Sequence, residues 1–553
     1  MPPTKIPCLA ALTIVLVIVF SKMAYAQMNA GVADAKRPQP RAEYESHVAC
    51  VNCHRELPAY AEEFIQLIQR ETWEKKDKHS QAFNLLISDT SHQLVTRLLG
   101  FDLREFVKNG ELNHTALQPS QRARLKSCLH CHSAWPHDRE QPPIASHLGV
   151  SCQACHGPGR SWSEAHRSED KVWRLVSAAE KARLHMTDVH NPIVRTQLCA
   201  SCHIGDVKQH RFVTHDMYVL GHPPLPSIEP ESFAEQMPEH WQTLPQKLRK
   251  KVFDMWDSSP EGLDRIAWSQ KDPRLGIAPE DIKSSYREAN YPDHDPSNDL
   301  PHTRNVIVGG LVLLQSSLEL LADLSQLQQS GGHVWPEFAM YDCSACHHEL
   351  RTGPIATGRP FRPVPPGRPP MPLWPTALVR AAFVQQAGNL EMGNKRFAEF
   401  ERHLLNVENA VTRPLFGNTQ QIQTTARELA EKINILALQL TNSRYDRQAA
   451  KLALLVLTDP NQSVPRDYHS ARQMAWAIRR IAKELAEVDA ELTIEKLFVG
   501  PAGEDILGLE LPQGQDKSVI DNLPRFLKAA ANYDPDWFAS ELTRLHAAVI
   551  VSK

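Results

Sequence analysis

Apolar positions fall into three regimes along this chain. Leu9–Phe20 is nearly continuous. From His47 to about residue 350 long periodic segments are scarce. The clear exception is Arg304–Gln328, where Val308, Leu311, Leu314, Leu318, Leu321 and Leu324 recur at three- and four-residue steps and predict a helix. Gly309-Gly310 either weakens its first turns, by about 1 kcal/mol per glycine, or lets something bulky pack close. Beyond residue 375 the helical pattern takes over. Ile422, Ala426, Leu429, Ile433, Leu436 and Leu440 form one stripe, and Ala471, Met474, Ile478, Ile481, Leu485 and Val488 a second. Such stripes predict core-facing sides of antiparallel helices, with breaks at Asp459-Pro460 and around Gly500-Pro501.

Punctuation between these regimes sets the domain expectation. Nine prolines from Pro354 to Pro375 mark residues 351–375 as an extended linker. Met1–Ala26 reads as a secretory signal peptide: Lys5 is basic, Leu9–Phe20 is the apolar region, and Ala24-Tyr25-Ala26 is a cleavage site before Gln27. The run is shorter than the roughly 20 residues a membrane span needs, with an uncleaved anchor as the alternative. Membrane contact is expected only in that case. The divisions are a signal peptide (1–26), a flexible lead-in (27–46), a cysteine-rich domain (47–350), the linker (351–375) and a helical domain (376–553). The fold class is mainly α with little regular sheet, ending in an all-α bundle.

Composition adds little until cysteine is considered. The 553 residues, 42% of them hydrophobic, suffice for two domains, and a formal charge of −3 argues against a nucleic-acid partner. There are 11 cysteines. Cys8 lies in the apolar leader; the other ten form five Cys-x-x-Cys-His motifs, at Cys50–His54, Cys128–His132, Cys152–His156, Cys199–His203 and Cys343–His347. Chance would supply on the order of 0.01 such motifs. The pattern is that of c-type haem attachment: Cys50 and Cys53, Cys128 and Cys131, Cys152 and Cys155, Cys199 and Cys202, and Cys343 and Cys346 each form two thioethers to a porphyrin. His54, His132, His156, His203 and His347 bind the irons. Zinc ribbons built from paired Cys-x-x-Cys units would not explain a histidine after every second cysteine, nor an odd number of pairs. Covalent haem attachment takes place outside the cytoplasm, in agreement with the leader. Residues 47–350 carry few apolar stripes, so haems should fill much of that interior.

The sixth position on each iron decides its chemistry: a second histidine suits electron transfer, an open position lets a small molecule reach the metal. Five of the 26 histidines are motif ligands and three lie in the C-terminal domain, leaving eighteen candidates. Position favours His79 after the first motif, His166 after the third, and His190 before the fourth, with His185 competing. For the fifth haem His215, His222 and His333 are near-equivalent, with His222 as the nominal choice. His92, His114, His130, His137 and His147 have no positional argument.

The run Gly149-Val150-Ser151-Cys152-Gln153-Ala154-Cys155-His156-Gly157-Pro158-Gly159-Arg160, followed by His166, resembles cytochrome c-554 and its c-prime relatives. The first motif followed by Trp73 and His79, the bare second motif, and Cys199-Ala200-Ser201-Cys202-His203 keep the family's order over roughly residues 48–206. The gap before Trp73 is longer here, and His190 lies further from Cys199. The resemblance implies a periplasmic electron carrier with stacked haem pairs, packed as in the hydroxylamine-oxidoreductase group. It also implies His166 as sixth ligand of the first haem, His79 of the third and His190 of the fourth, and a five-coordinate second haem on His132. Trp335-Pro336-Glu337-Phe338-Ala339, leading into Cys343, resembles larger exported multihaem cytochromes.

Two functions emerge as expectations. The first is an exported cytochrome passing electrons through five haems c between donor and acceptor proteins, such as cytochromes or quinone-linked complexes. The second is a multihaem oxidoreductase acting on a small nitrogen or sulfur species at an open iron on His132, with nearby His and Arg as proton donors or anion clamps. The helical C-terminal domain shows no catalytic constellation and is expected to be a docking module.

Overall fold

The computed structural model describes residues 69–108, 110–133, 149–167, 178–238, 299–329, 335–343, 346, 368–413, 415–461, 465, 467–488 and 533–551. The leader, the lead-in, the first motif (Cys50, Cys53, His54), His137, His147, His333, His347 and most of the proline-rich segment lie outside them.

Short helices build the N-terminal part: α1 (Gln69–Lys76), α2 (Ala82–Leu86), α3 (His92–Leu99) and α4 (Pro119–His132). The sheet among the described residues is one hairpin, β1 (Val107–Lys108) against β2 (Glu111–Leu112), in antiparallel register Val107 to Leu112. The fold is mainly α. A small core of Phe83, Leu86, Val95, Leu99, Leu103, Leu117, Leu125 and Leu129 joins α2, α3 and α4. Next come α5 (Cys152–His156), α6 (Arg160–Arg167), α7 (Ala178–Arg183), α8 (Pro192–His203), α9 (His215–Val219) and α10 (Pro230–Gln236).

The long helices come last: α11 (Pro301–Gln329), α12 (Val379–Ala387), α13 (Leu390–Thr412), α14 (Thr419–Thr441), α15 (Arg447–Thr458), α16 (Tyr468–Val488) and α17 (Pro535–Val551). The stripe read from sequence on α11 is buried, and so are Val306, Ile307, Val312 and Leu313 on its other sides. A helix apolar all round needs cover all round. Cover comes from α8 on one side and from α14, α16 and α12 on the others. By length and composition α11 is apolar enough to cross a membrane, but most of it is buried inside the protein. Gly310 admits Leu378: a β-carbon at 310 would lie 2.6 Å from the Leu378 Cβ. The second alternative for the glycine pair is therefore the one realised.

One hydrophobic core runs from Ile193 through α11, Trp335, Tyr341 and Met371 into the C-terminal helices. Polar clamps reinforce it. The Arg472 guanidinium donates to the Ser227 carbonyl at 2.6 Å, the Gln473 amide to the Ile228 carbonyl at 3.1 Å and the Ser232 hydroxyl to the Trp476 carbonyl at 3.4 Å. Glu484 on α16 accepts from the backbone N–H groups of His302 and Thr303 at 2.8 and 2.7 Å, capping the N-terminus of α11 with a negative charge. Segment 227–232 precedes the proline-rich stretch in sequence, yet it is fastened to α16 beyond it.

Candidate haem-attachment centre

Three of the motifs close helices. The second forms the last turn of α4, which starts with Pro119 and a capping box between Gln118 and Gln121. The third is the single turn α5. The fourth ends α8, whose first N–H groups, on Ile193 and Val194, donate to the Asn191 side chain ahead of Pro192. On a helix the two cysteines at i and i+3 and the histidine at i+4 share one face, so both thiols and the imidazole address the same body. In the fifth motif Cys346 N–H donates to the Cys343 carbonyl at 3.2 Å, closing a comparable turn.

The motifs converge. The thiol of Cys131, in the second, is hydrogen-bonded to that of Cys202, in the fourth; sharing the bond raises the Cys131 pKa and lowers that of Cys202, which Arg211 lowers further. Burial pushes the Cys155 thiol up to about 12, with the charges of Cys199, Asp77, Cys152 and Cys202 adding to it, so the third and fourth motifs are neighbours as well. Among the described residues no three His, Cys, Asp or Glu side chains gather as a chelating group.

His79 sits in the short turn between α1 and α2. Asp77, buried, accepts the backbone N–H of His79 and faces its ring Nδ1, both at 2.9 Å. With Nδ1 protonated toward the carboxylate, the Nε2 lone pair is available to a metal. Burial works against protonation of His79, but the Asp77 hydrogen bond and charge outweigh it and the pKa rises. The His79 and His203 ring centroids are 6.4 Å apart, with the planes at 85°. Burial, helped by His79, brings His203 down to about 4, so its imidazole is neutral at physiological pH. The backbone ties this turn to the third motif: Trp73 Nε1–H donates to the Val150 carbonyl at 3.1 Å and Val150 N–H to the His79 carbonyl at 2.9 Å. The His79 ring nevertheless faces the histidine of the fourth motif, whereas the family resemblance implies the third.

His190 is exposed and precedes α8, whereas His203 ends it. A 12-residue helix is about 18 Å long, so the two imidazoles lie at opposite ends and do not face one another across one iron. His185 adopts φ 65° next to the third motif, and Thr187 N–H donates to the His156 carbonyl at 3.1 Å. His166 is exposed on α6 with its ring 5.7 Å from Trp162; its expected partner, the first motif, lies outside the described residues. His215, at the start of α9, donates its backbone N–H to Glu337 at 2.7 Å and sets its ring 5.6 Å from Phe338, in the lead-in to the fifth motif. His130 is buried and its Nδ1 meets the His210 carbonyl at 3.0 Å. His132 and His222 each turn Nδ1 to a backbone carbonyl, of Ala82 and Pro223 respectively, at 2.8 Å.

Three contributors escape sequence reasoning. Asp77 has a local signal, a carboxylate two residues before a histidine, which also reads as an ordinary helix cap. Phe233 and Trp476 have none: Phe233 packs 6.2 Å from the His203 ring and 5.3 Å from Trp476 on α16, carrying the C-terminal helices to the edge of the site.

Comparison with protein-family profiles, curated proteins and solved structures finds no match for this chain.

Proposed function

We propose that the chain is an exported pentahaem c-type cytochrome, a haem domain followed by a helical bundle, that carries electrons between redox proteins. The reading rests on the five Cys-x-x-Cys-His motifs, and its principal geometric support is the opposed pair His79 and His203. An iron held by two imidazoles at about 2 Å on each side sets their ring centroids roughly 6 to 6.5 Å apart, and the pair stands at 6.4 Å. The donor set fits haem c: thiols in pairs, an imidazole after each pair, neutral at His203, and opposite that one a second imidazole aimed by a carboxylate. His79 is accordingly assigned to the fourth iron. Bound haems supply one-electron ferric–ferrous chemistry. The chain's own residues fix spacing and ligation: Asp77 holds the His79 ring, Phe233 backs His203, and the Cys131–Cys202 contact brings two attachment sites together.

The order of motifs three and four, with Trp73 and His79, supports kinship with cytochrome c-554. Donor and acceptor are other cytochromes or quinone-linked complexes. A pyridine haemochrome assay on the mature protein is expected to return five haems c per chain. Fewer than four would reject the reading, because no described motif lacks its two cysteines.

A further inference from the structure

We infer that His302, hydrogen-bonded to the buried Glu231, is a proton-binding site coupled to the fourth haem, taking up a proton from water when that iron is reduced and releasing it on oxidation. The inference rests on the haem reading above and adds to it a proton that moves with the electron.

Glu231, on α10, is buried, and both its oxygens are engaged: one by Nδ1 of His302 at the start of α11, the other by the Arg195 guanidinium on α8. Burial works to raise this carboxyl, but the hydrogen bond from His302 and the charges of Arg195, His302 and Arg480 outweigh it and hold it below the ordinary glutamate range. Glu231 therefore stays ionised. With Nδ1–H turned to the carboxylate, the neutral His302 ring keeps its lone pair on Nε2, the nitrogen that accepts a proton. The His302 side chain is 39% exposed and that of Glu231 only 5%, so the proton reaches the imidazole from water while the carboxylate stabilises it from within.

The site adjoins the fourth motif from two sides. Arg195 lies one turn before Cys199 on α8, on the same face of that helix. Phe233 follows Glu231 by two residues on α10 and packs 6.2 Å from the His203 ring. The other charged neighbours are matched among themselves. Glu229, fully buried and pushed up by burial, caps α10 by accepting from the N–H groups of Glu231 and Ser232 at 3.1 and 2.7 Å. Glu235 pairs with Lys483 and Arg480 of α16, Arg304 with Asp299, and Glu484 with the backbone N–H groups of His302 and Thr303. The N-terminus of α11 disfavours a cation at its start, and the carboxylates of Glu231 and Glu484 offset it. Among these residue types histidine is the one that changes charge between about pH 5 and 8. His302 Nε2 gains one proton from water as the iron gains one electron from the donor protein, and loses it as the electron passes to the acceptor. A unit charge acting over roughly 10 Å of protein changes a proton affinity about tenfold.

The test is a potentiometric titration of the holoprotein between about pH 5 and 9, with the haemochrome count and electron paramagnetic resonance read alongside. One of the five potentials is expected to fall with rising pH by about 59 mV in all, the equivalent of a tenfold change in proton affinity. His302→Asn keeps a donor for Glu231 but takes up no proton. It is expected to hold that potential at its alkaline value throughout, with five haems and unchanged spin states. Glu231→Gln removes the charge that favours the proton and is expected to move the sloping range to lower pH by about one unit or more. A purely structural role would change stability and leave the profile alone, so profiles unaltered in both variants with five haems bound overturn the inference. If both variants lose haem, reduction of the unaltered protein in unbuffered solution decides, with proton uptake read by an indicator dye; no uptake overturns the inference. Absence of haem c altogether would instead refute the function proposed above.

Discussion

The carboxylate of Asp77 performs two tasks within one turn, capping the backbone at His79 and fixing that residue's tautomer. A charged acceptor behind a ligating imidazole makes the ligand more basic and favours the ferric state. Asp77→Asn is therefore expected to shift one haem potential in the positive direction with no change in spin state; an unchanged potentiometric titration would reject the role. His79→Ala should convert one haem to high spin, read by the same resonance measurement. At this scale the sequence is legible only where chemistry demands contiguity. Two thioethers and an axial bond to one porphyrin require five adjacent residues, so Cys128–His132 or Cys199–His203 can be recognised on sight. A second imidazole obeys no such rule: the His79 ring faces His203 across more than a hundred residues, while His190, close in sequence, lies at the other end of α8.

Among elements, α11 shows both what periodicity reveals and what it hides. The repeat from Val308 to Leu324 identifies a helix that the structure extends to Pro301–Gln329. A single stripe does not announce that the opposite face is buried too, because Val306, Ile307, Val312 and Leu313 are explained only by partners from both halves of the chain. Gly310 is the sharpest test of that enclosure. Helix propensity alone would favour any residue but proline there, by up to about 1 kcal/mol. Contact with Leu378 argues the reverse, and Gly310→Val is expected to destabilise by about 1 to 3 kcal/mol through overpacking. Chemical denaturation of the holoprotein measures it; a stabilised variant would mean that the helices separate more easily than their burial implies.

For the molecule as a whole, the proline-rich stretch divides the sequence more cleanly than it divides the core. Cysteine content changes abruptly there, yet Ile193, Leu311, Met371 and Ile433 belong to one hydrophobic cluster. Trp476 reaches Phe233, and Phe233 reaches His203. The C-terminal helices thus reach the fourth motif, through Trp476 and Phe233. Composition along the chain records chemistry, and burial depends on which surfaces meet, so no count of residue types on either side of Pro354–Pro375 anticipates it.

The contact between Cys131 and Cys202 bears on how such a protein is made. Two thiols within hydrogen-bonding reach are placed to cross-link wherever the surroundings are oxidising, and the proposed export would deliver the chain to surroundings of that kind. A polypeptide that folded before receiving its porphyrins would lock one cysteine from each of two attachment sites into a disulfide. On the proposed function, maturation would run ahead of collapse, or a reductant would keep both sulfurs free until the porphyrins are attached. Secretion without haem-ligation machinery is expected to yield a Cys131–Cys202 disulfide, detectable by mass spectrometry of non-reduced peptides. Finding both thiols free under those conditions would show that the apo-chain never brings the two helices together.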